Sequence, residues 1–296
     1  MPNFRVSALA LSLTTAGVLG LTATIPANAA AARPYAAAIV VTPDGFTAPA
    51  SVPAGATAFR VGATDPDGAY IGVVRLRPGV SKERYLADLE RAYDDTDREG
   101  ALAGARAVER DVVMHGGAAV LPGTPVTFTA ALAPGGRHLV IDFKDVGSPG
   151  LAAKVRELRV LPRGARPALP PAEAEIVQVR TADGPRFRAP RTVRAGAPVR
   201  VANRSRQFNE AILMPVRPGT TRQDVGAFFV AMEGGPQAPA PFTGGPVGMV
   251  PLSPGRSAVL AADLRPGTYA LVTWLTDYRT GRMHAAQGMH EIVTVE

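Results

Sequence analysis

The chain has 296 residues, 32 basic and 25 acidic side chains, a formal net charge of +7 and no cysteine. The lack of cysteine excludes disulfide bonds, thiolate metal sites and cysteine nucleophiles. Only Lys82, Lys144 and Lys154 are lysines and the arginines are scattered, which is typical of a GC-rich coding bias. Binding to a polyanion is the alternative, but we expect no nucleic-acid partner.

The first segment of the chain is typical of a secretory signal peptide. Arg5 precedes an uncharged apolar run over Val6–Leu21, and a small-residue triplet ends at Ala29. This pattern predicts cleavage after Ala29. A membrane anchor is the alternative, but about 16 apolar residues are fewer than the roughly 20 that span a bilayer. We therefore expect residues 1–29 to be removed and the mature protein to be secreted, extracellular or cell-wall associated, with no membrane span.

The rest of the chain contains one sequence pattern twice. The motif Phe-x-Ala-Pro begins at Phe46 and at Phe187, and the motif Leu-x-Pro-Gly begins at Leu132 and at Leu264. The offset between equivalent residues falls from 141 to 132 along the pattern. The first copy therefore carries extra residues, which we place in the charged stretch 94–110.

Each copy is predicted to be a β-sandwich interrupted by one helix. Short runs with period-two alternation, separated by Pro-Gly turns, are typical of sandwich strands. Ser81 is a candidate N-cap for a helix over residues 82–93. Thr221 and Asp224 form the beginning of a capping box for a helix over residues 225–232.

These patterns predict an all-β fold of two tandem domains, residues 30–161 and 174–296. The segment between them, residues 162–173, contains four prolines in its first ten positions. Such a composition predicts an extended and fairly stiff linker.

The second copy resembles the cupredoxin-like family. The resemblance is carried by the motif at Phe187 with Asn203 after it, by Pro266–Tyr269, and by the loop from His284 to Met289. It implies a Greek-key sandwich in each copy. In the copper-binding members it also implies a site of two imidazoles, one thiolate and a weak axial thioether.

The copper-ligand positions of that family are only partly kept. The first histidine would fall near Asn209 and the cysteine at or beside Thr273, whereas His284 and Met289 match. The first copy has none of these ligands. Without a thiolate the set cannot form a type 1 copper site. We therefore expect no metal and no cofactor, with His284 and Met289 as the fallback candidates.

Three methionine–histidine pairs, which begin at Met114, Met283 and Met289, are further metal candidates. Thioether and imidazole together suit Cu(I). Neighbouring side chains on a strand point to opposite faces. We therefore interpret each methionine as a core residue and each histidine as a surface or loop residue.

Two other motifs allow two interpretations each. The sequence Asp-Pro-Asp-Gly from Asp65 is typical of a turn, with a calcium loop as the alternative. Trp274 and Tyr278 are either core residues or a ligand-contacting aromatic pair near the degenerate metal site.

The sequence contains no nucleophile elbow, zinc-protease motif or phosphate-binding loop. We therefore predict a secreted binding or structural protein that is not an enzyme, with the second copy presenting the binding surface. The alternative is an exported Cu(I) carrier that uses His284 and Met289. The partner is unknown, and a cell-envelope component or another exported protein is the candidate.

Overall fold

The computed structural model describes residues 34–144, 146–147, 150–162 and 168–296. The predicted signal peptide lies outside the described residues, and so does part of the predicted linker, residues 163–167. Among the described helices, none is long and apolar enough to cross a membrane.

The first repeat, as far as it is described, contains nine strands and two α-helices. Its strands are β1 (Tyr35–Thr42), β2 (Gly45–Thr47), β3 (Ser51–Pro53), β4 (Gly55–Ala63), β5 (Ala69–Leu76), β6 (Val112–Val120), β7 (Val126–Leu132), β8 (His138–Asp142) and β9 (Val155–Leu161). Its helices are α1 (Lys82–Ala92) and α2 (Arg98–Asp111), and a 3-10 turn spans Leu151–Lys154.

Helix α1 begins where the sequence predicts, because the Ser81 hydroxyl accepts a hydrogen bond from the Arg84 N–H at 3.1 Å. Helix α2 is an addition to the single predicted helix, and it occupies the charged stretch of extra residues. The Asp97 carboxylate caps it by accepting the Gly100 N–H at 2.8 Å. A side chain at Gly104 would overlap the backbone of α1, so this glycine lets the two helices approach closely.

The second repeat contains the equivalent strands, one helix and a short extra hairpin. Its strands are β10 (Ala174–Thr181), β11 (Gly184–Arg188), β12 (Thr192–Val193), β13 (Val199–Asn203), β14 (Asn209–Pro215), β15 (Val247–Leu252), β16 (Ser257–Ala262), β17 (Gly267–Val272), β18 (Thr276–Asp277), β19 (Arg282–Met283) and β20 (His290–Val295). Helix α3 spans Arg222–Met232 and starts with the predicted capping box of Thr221 and Asp224.

The two repeats share both of their sheets. One sheet has the order β11-β10-β13-β16-β7-β4-β1-β2, and the other has the order β12-β20-β17-β14-β15-β6-β5-β8-β9-β3. Each order is nearly a palindrome of equivalent strands, because β16 pairs with β7 and β15 pairs with β6. The predicted all-β fold of two tandem sandwiches is confirmed. The strand pairs β7–β16 and β6–β15 join the two sandwiches, and we call this junction the seam.

The core has three parts. The largest lies between the two sheets and includes the stacked pair Phe59 and Phe128, whose ring centroids are 5.0 Å apart. Two smaller clusters lie on the outer face of the ten-stranded sheet. One contains Tyr85 of α1 and Val108 of α2, and the other contains Phe229 of α3. The seam between β6 and β15 lies between these two outer clusters.

Candidate functional site

A cavity of about 690 Å³ lies on the outer face of the ten-stranded sheet, where the two repeats meet. Residues of both repeats line it. They are Tyr70, Tyr85, Leu89, Ala92, Tyr93, Ala105, Val108, Glu109, Met114, Phe143 and Lys144 from the first repeat, and Gln207, Phe208, Glu210, Val250, Pro251, Trp274, Leu275, Thr276 and Tyr278 from the second. Most of these side chains are aromatic or aliphatic, and two are carboxylic acids.

Strand alternation places Glu210 in the cavity. In β14, Ala211 and Leu213 face the core between the sheets, whereas Ile212 and Met214 face the outer cluster. Because side chains alternate along a strand, Glu210 lies on the same outer face as Ile212 and Met214. The second residue of β5, Tyr70, is its equivalent in the first repeat, and it lines the same cavity.

Glu210 is a buried carboxylic acid, with 6% of its surface exposed. Its Oε1 accepts the backbone N–H of Trp274 at 2.7 Å. Burial raises the pKa of Glu210 to about 7, although that hydrogen bond acts in the opposite direction. Among the described residues, no arginine, lysine or histidine pairs with this carboxyl group. The charged form of Glu210 thus lacks a counter-ion.

Glu109, on α2, is the second acid of the cavity. Burial raises its pKa to about 7, against the lowering effects of a hydrogen bond with the Tyr278 side chain and of the Arg279 charge. The ring of Tyr278 in turn lies 5.8 Å from the Arg106 guanidinium. Glu109 therefore has partners within the protein, whereas Glu210 has only a backbone amide.

The aromatic wall is held by packing on both sides of the seam. Trp274 contacts Phe229 edge to face, with ring centroids 5.0 Å apart. Phe143 packs directly on β5 at Gly72, where a Cβ would overlap its ring. Tyr85 is fully buried, and its hydroxyl has no hydrogen-bond partner among the described residues.

The Asp-Pro-Asp-Gly motif forms a turn beside the cavity. The Asp65 carboxylate accepts the Asp67 N–H at 2.9 Å, and Gly68 adopts a φ of +73° that suits glycine. Asp65 also pairs with Lys144 at 2.9 Å, which lowers the pKa of Asp65. The Asp65 carboxylate therefore stabilises the turn and forms an ion pair with the Lys144 ammonium group.

The positions of the family's copper ligands are all buried. Asn209 begins β14, Thr273 follows β17, and His284 and Met289 lie in the loop before β20. The Met289 N–H donates to the His284 carbonyl at 3.0 Å, so the loop brings these two residues together. Both ring nitrogens of His284 and the Asn209 Oδ1 lack partners among the described residues.

This residue set does not fit a type 1 copper centre, because a hydroxyl and an amide stand where a thiolate and an imidazole are required. Burial lowers the pKa of His284 to about 4, although the Asp277 charge opposes it. Within the described ranges, no three His, Asp or Glu side chains form a metal-binding group. The Cu(I) hypothesis with His284 and Met289 stays a prediction.

The interpretation of the histidines as surface or loop residues is wrong with respect to exposure. His115, His284 and His290, the histidines that follow a methionine, are all buried, with 6% or less of each exposed, although His284 does lie in a loop. Met114 and His115 do lie on opposite faces of β6, as alternation predicts, but both faces of this central strand are covered.

Sequence reasoning singled out Trp274 and Tyr278, and both line the cavity. It assigned no role to Tyr85, Glu109 or Glu210. A signal for Glu210 exists in the sequence, since it is the only charged residue of the apolar strand β14. No comparable signal marks Tyr85, which has the spacing of an ordinary core residue on α1.

No family model and no curated protein matches the chain. Among solved structures, it is similar to auracyanin from Roseiflexus castenholzii, at 22% identity over 41% of this chain and 94% of that chain, with a TM-score of 0.25. It is also similar to a multicopper oxidase, at 14% identity over 89% of each chain and a TM-score of 0.22. A copper nitrite reductase from Nitrosomonas europaea matches at 12% identity over 89% of this chain and 94% of that chain, with a TM-score of 0.25.

The all-β fold of two sandwiches rests on the strand orders of the two shared sheets. At these identities and TM-scores the likeness concerns the fold alone and carries nothing about activity. The prediction that the protein is not an enzyme is nevertheless contradicted, because the solved structures that match most of the chain include a multicopper oxidase and copper nitrite reductases, which are enzymes. The fold gives no ground for excluding catalysis.

Proposed function

We propose that this protein binds a small organic cation with an aromatic or apolar body, and that Glu210 is the counter-ion of the ligand. The observation that carries the proposal is the buried carboxyl group of Glu210, which lines the cavity without a cationic partner. A buried carboxylate is either protonated or paired with a cation. A ligand ammonium group beside Glu210 would stabilise the ionised form.

The walls of the cavity suit such a ligand. Tyr70, Phe143, Trp274 and Tyr278 present aromatic rings, and aromatic faces attract cations. The volume of about 690 Å³ lies within the roughly 300–1,000 Å³ of typical small-molecule sites. The unpartnered Tyr85 hydroxyl offers one additional hydrogen bond to a polar group of the ligand.

We further propose that the protein functions outside the cytoplasm, after removal of residues 1–29. In this proposal, residues 30–161 and 174–296 are cupredoxin-like domains. The composition of the leader and the internal repeat support it. The ligand site lies on the outer face of the sheet, whereas the degenerate copper position lies beside the inner core with Met289.

A matched pair of probes tests the proposal. Benzyltrimethylammonium and its neutral isostere neopentylbenzene have nearly the same shape and differ in charge. Binding can be followed by the fluorescence of Trp274, because the chain has one tryptophan. We expect the cation to bind more tightly than the isostere at pH 8, where Glu210 is mostly ionised.

The Glu210→Gln variant should weaken binding of the cation by about 10- to 100-fold, the effect of one hydrogen bond or ion pair to a charged group. It should leave binding of the neutral isostere nearly unchanged. The control is Glu90→Gln, on the exposed side of α1. Equal affinity for both probes, or equal losses in the two variants, would refute the proposal.

General acid–base catalysis in the same cavity is the second candidate function. It is favoured by the two carboxyl groups with pKa values of about 7, since a catalytic acid or base works best near the ambient pH. Incubation with a library of aromatic amines, followed by mass spectrometry, tests it. Product formation that is lost in both Glu109→Gln and Glu210→Gln would support catalysis, whereas unchanged recovery of every bound amine would contradict it.

A further inference from the structure

Two buried imidazoles lie at one end of the first sandwich, away from the cavity. His138 is 1% exposed and His115 is 4% exposed, and their ring centroids are 5.8 Å apart with the planes tilted by 33°. Both ring nitrogens of His138 and the Nε2 of His115 make no hydrogen bond of good geometry among the described residues, although a backbone contact with Gly136 acts to raise the pKa of His138 against the larger effect of burial. Buried polar atoms normally have partners, so this cluster of imidazole nitrogens is suited to binding a polar group.

Arginines from both repeats converge on this pair. Arg75 on β5 is the direct cross-strand neighbour of His138 on β8. Arg256 follows the turn after β15, and β15 pairs with β6 so that Leu252 lies opposite His115. The charges of Arg256 and Arg75 lower the pKa of His115 in addition to the larger effect of burial.

The arginine charges have no counter-ion within the part of the chain that the structure describes. No side-chain hydrogen bond or ion pair engages Arg75, Arg77 or Arg256, and the charges of the first two lower the pKa of Arg256 in addition to the larger effect of burial. The carboxylates of the adjoining elements are already engaged. Glu157 forms an ion pair with Arg137, with 2.8 Å between its Oε1 and the Arg137 Nη2.

Asp111 is the other carboxylate of the adjoining elements, and it is also engaged. It pairs with Arg84 and with Arg110 at 2.8 Å each. The three arginine charges and the imidazole nitrogens of His115 and His138 therefore face a region in which the described residues offer no unpaired carboxylate.

We propose that Arg75, Arg256, His115 and His138 form a binding site for a small tetrahedral oxyanion, namely phosphate or sulfate. Guanidinium groups bind such anions through paired N–H donors, and each neutral imidazole supplies one N–H donor. Arg75 is half-buried and Arg256 is exposed, so the site opens to solvent on the arginine side and ends in the buried histidine pair. The site is independent of the proposed cation cavity.

The test is a titration of the full mature chain with phosphate at pH 7.5 and constant ionic strength, followed by NMR of the histidine side chains. The chain has four histidines, so His284 and His290 serve as internal references. We expect saturable shifts of the His115 and His138 signals. Sulfate should give the same shifts, and acetate, with one negative charge, should bind more weakly.

Arg256→Gln should weaken phosphate binding by at least about tenfold, as expected for the loss of one charge-assisted contact. Arg256 lies on an exposed turn, so this variant remains informative if Arg75→Gln fails to fold. Arg60→Gln, at an exposed position of β4, is the control and should bind as the native protein does. Absence of saturable shifts, equal affinity for acetate, or phosphate binding unaffected by Arg256→Gln would overturn the proposal.

Discussion

Replacing Glu210 with glutamine should stabilise the protein above pH 7 and have little effect near pH 4. Burial raises the pKa of Glu210 from 4.5 to about 7 in the folded protein. Between these two values the folded protein retains a proton that the unfolded chain has released. The contribution of Glu210 to stability is therefore greatest below pH 4.5 and is lost as the pH rises through 7.

The interval between the two pKa values corresponds to about 3 kcal/mol, since each pH unit represents about 1.4 kcal/mol. Glutamine keeps an oxygen that can accept the Trp274 N–H, and it removes the charge. At pH 8 the variant should thus exceed the native free energy of unfolding by up to about 3 kcal/mol.

Urea unfolding followed by Trp274 fluorescence, repeated from pH 4 to 8.5, measures this difference. Subtracting the native curve from the curve of the variant removes the titration of every other group that the two proteins share. Glu90→Gln, which changes an exposed carboxylate, should give a flat difference. A flat difference for Glu210→Gln, or one that grows towards low pH, would refute the assigned burial.

Three further predictions concern other parts of the molecule. Tyr85→Phe removes an unpartnered buried hydroxyl, so thermal unfolding should show equal or higher stability, by up to about 1 kcal/mol; a loss above that amount would reveal a missed partner. Burial lowers the pKa of His115 to about 3 and of His138 to about 4. Their contribution to the free energy of unfolding is therefore full above pH 6.5 and falls as the pH drops towards 4. In urea unfolding, His138→Gln should lose less of this free energy between pH 6.5 and 4 than the native protein does. Separate fragments 30–162 and 168–296 would expose the seam edges of both sheets and should associate on mixing, whereas two monomers in sedimentation would contradict the shared sheets.

Local sequence signals were sufficient for helices α1 and α3 and for several strands of this fold, but not for helix α2. Ser81 and Thr221 cap helices because their hydroxyls accept backbone N–H groups a few residues on, and this depends on nearby residues alone. Period-two alternation and Pro-Gly turns likewise identify strands such as β7 and β16. The internal repeat then fixes the number of sandwiches.

The seam between the repeats could not be predicted in this way. β7 pairs with β16 and β6 with β15 across more than a hundred residues of sequence, and no local pattern records such a pairing. The seam also explains the histidine error, because His115 lies on a strand that is central in the ten-stranded sheet. Read as part of a separate sandwich, the same strand would be an edge.

The candidate sites escaped prediction for the same reason. Glu109 and Glu210 belong to different repeats and meet only in the cavity at the seam. Arg75 and Arg256 are 181 positions apart and appear in the sequence as two of many scattered arginines. Charge clusters of this kind depend on tertiary and inter-repeat contacts, which composition does not report.

The affinity of the native protein for benzyltrimethylammonium, measured from pH 5 to 8.5, tests the central claim most directly. If ionised Glu210 is the counter-ion, affinity should rise about tenfold per pH unit up to pH 7 and then level off, because it follows the ionised fraction. Glu210→Gln should flatten this profile. An affinity that is independent of pH, or a profile that the variant retains, would contradict the assignment of the cavity as an organic-cation site.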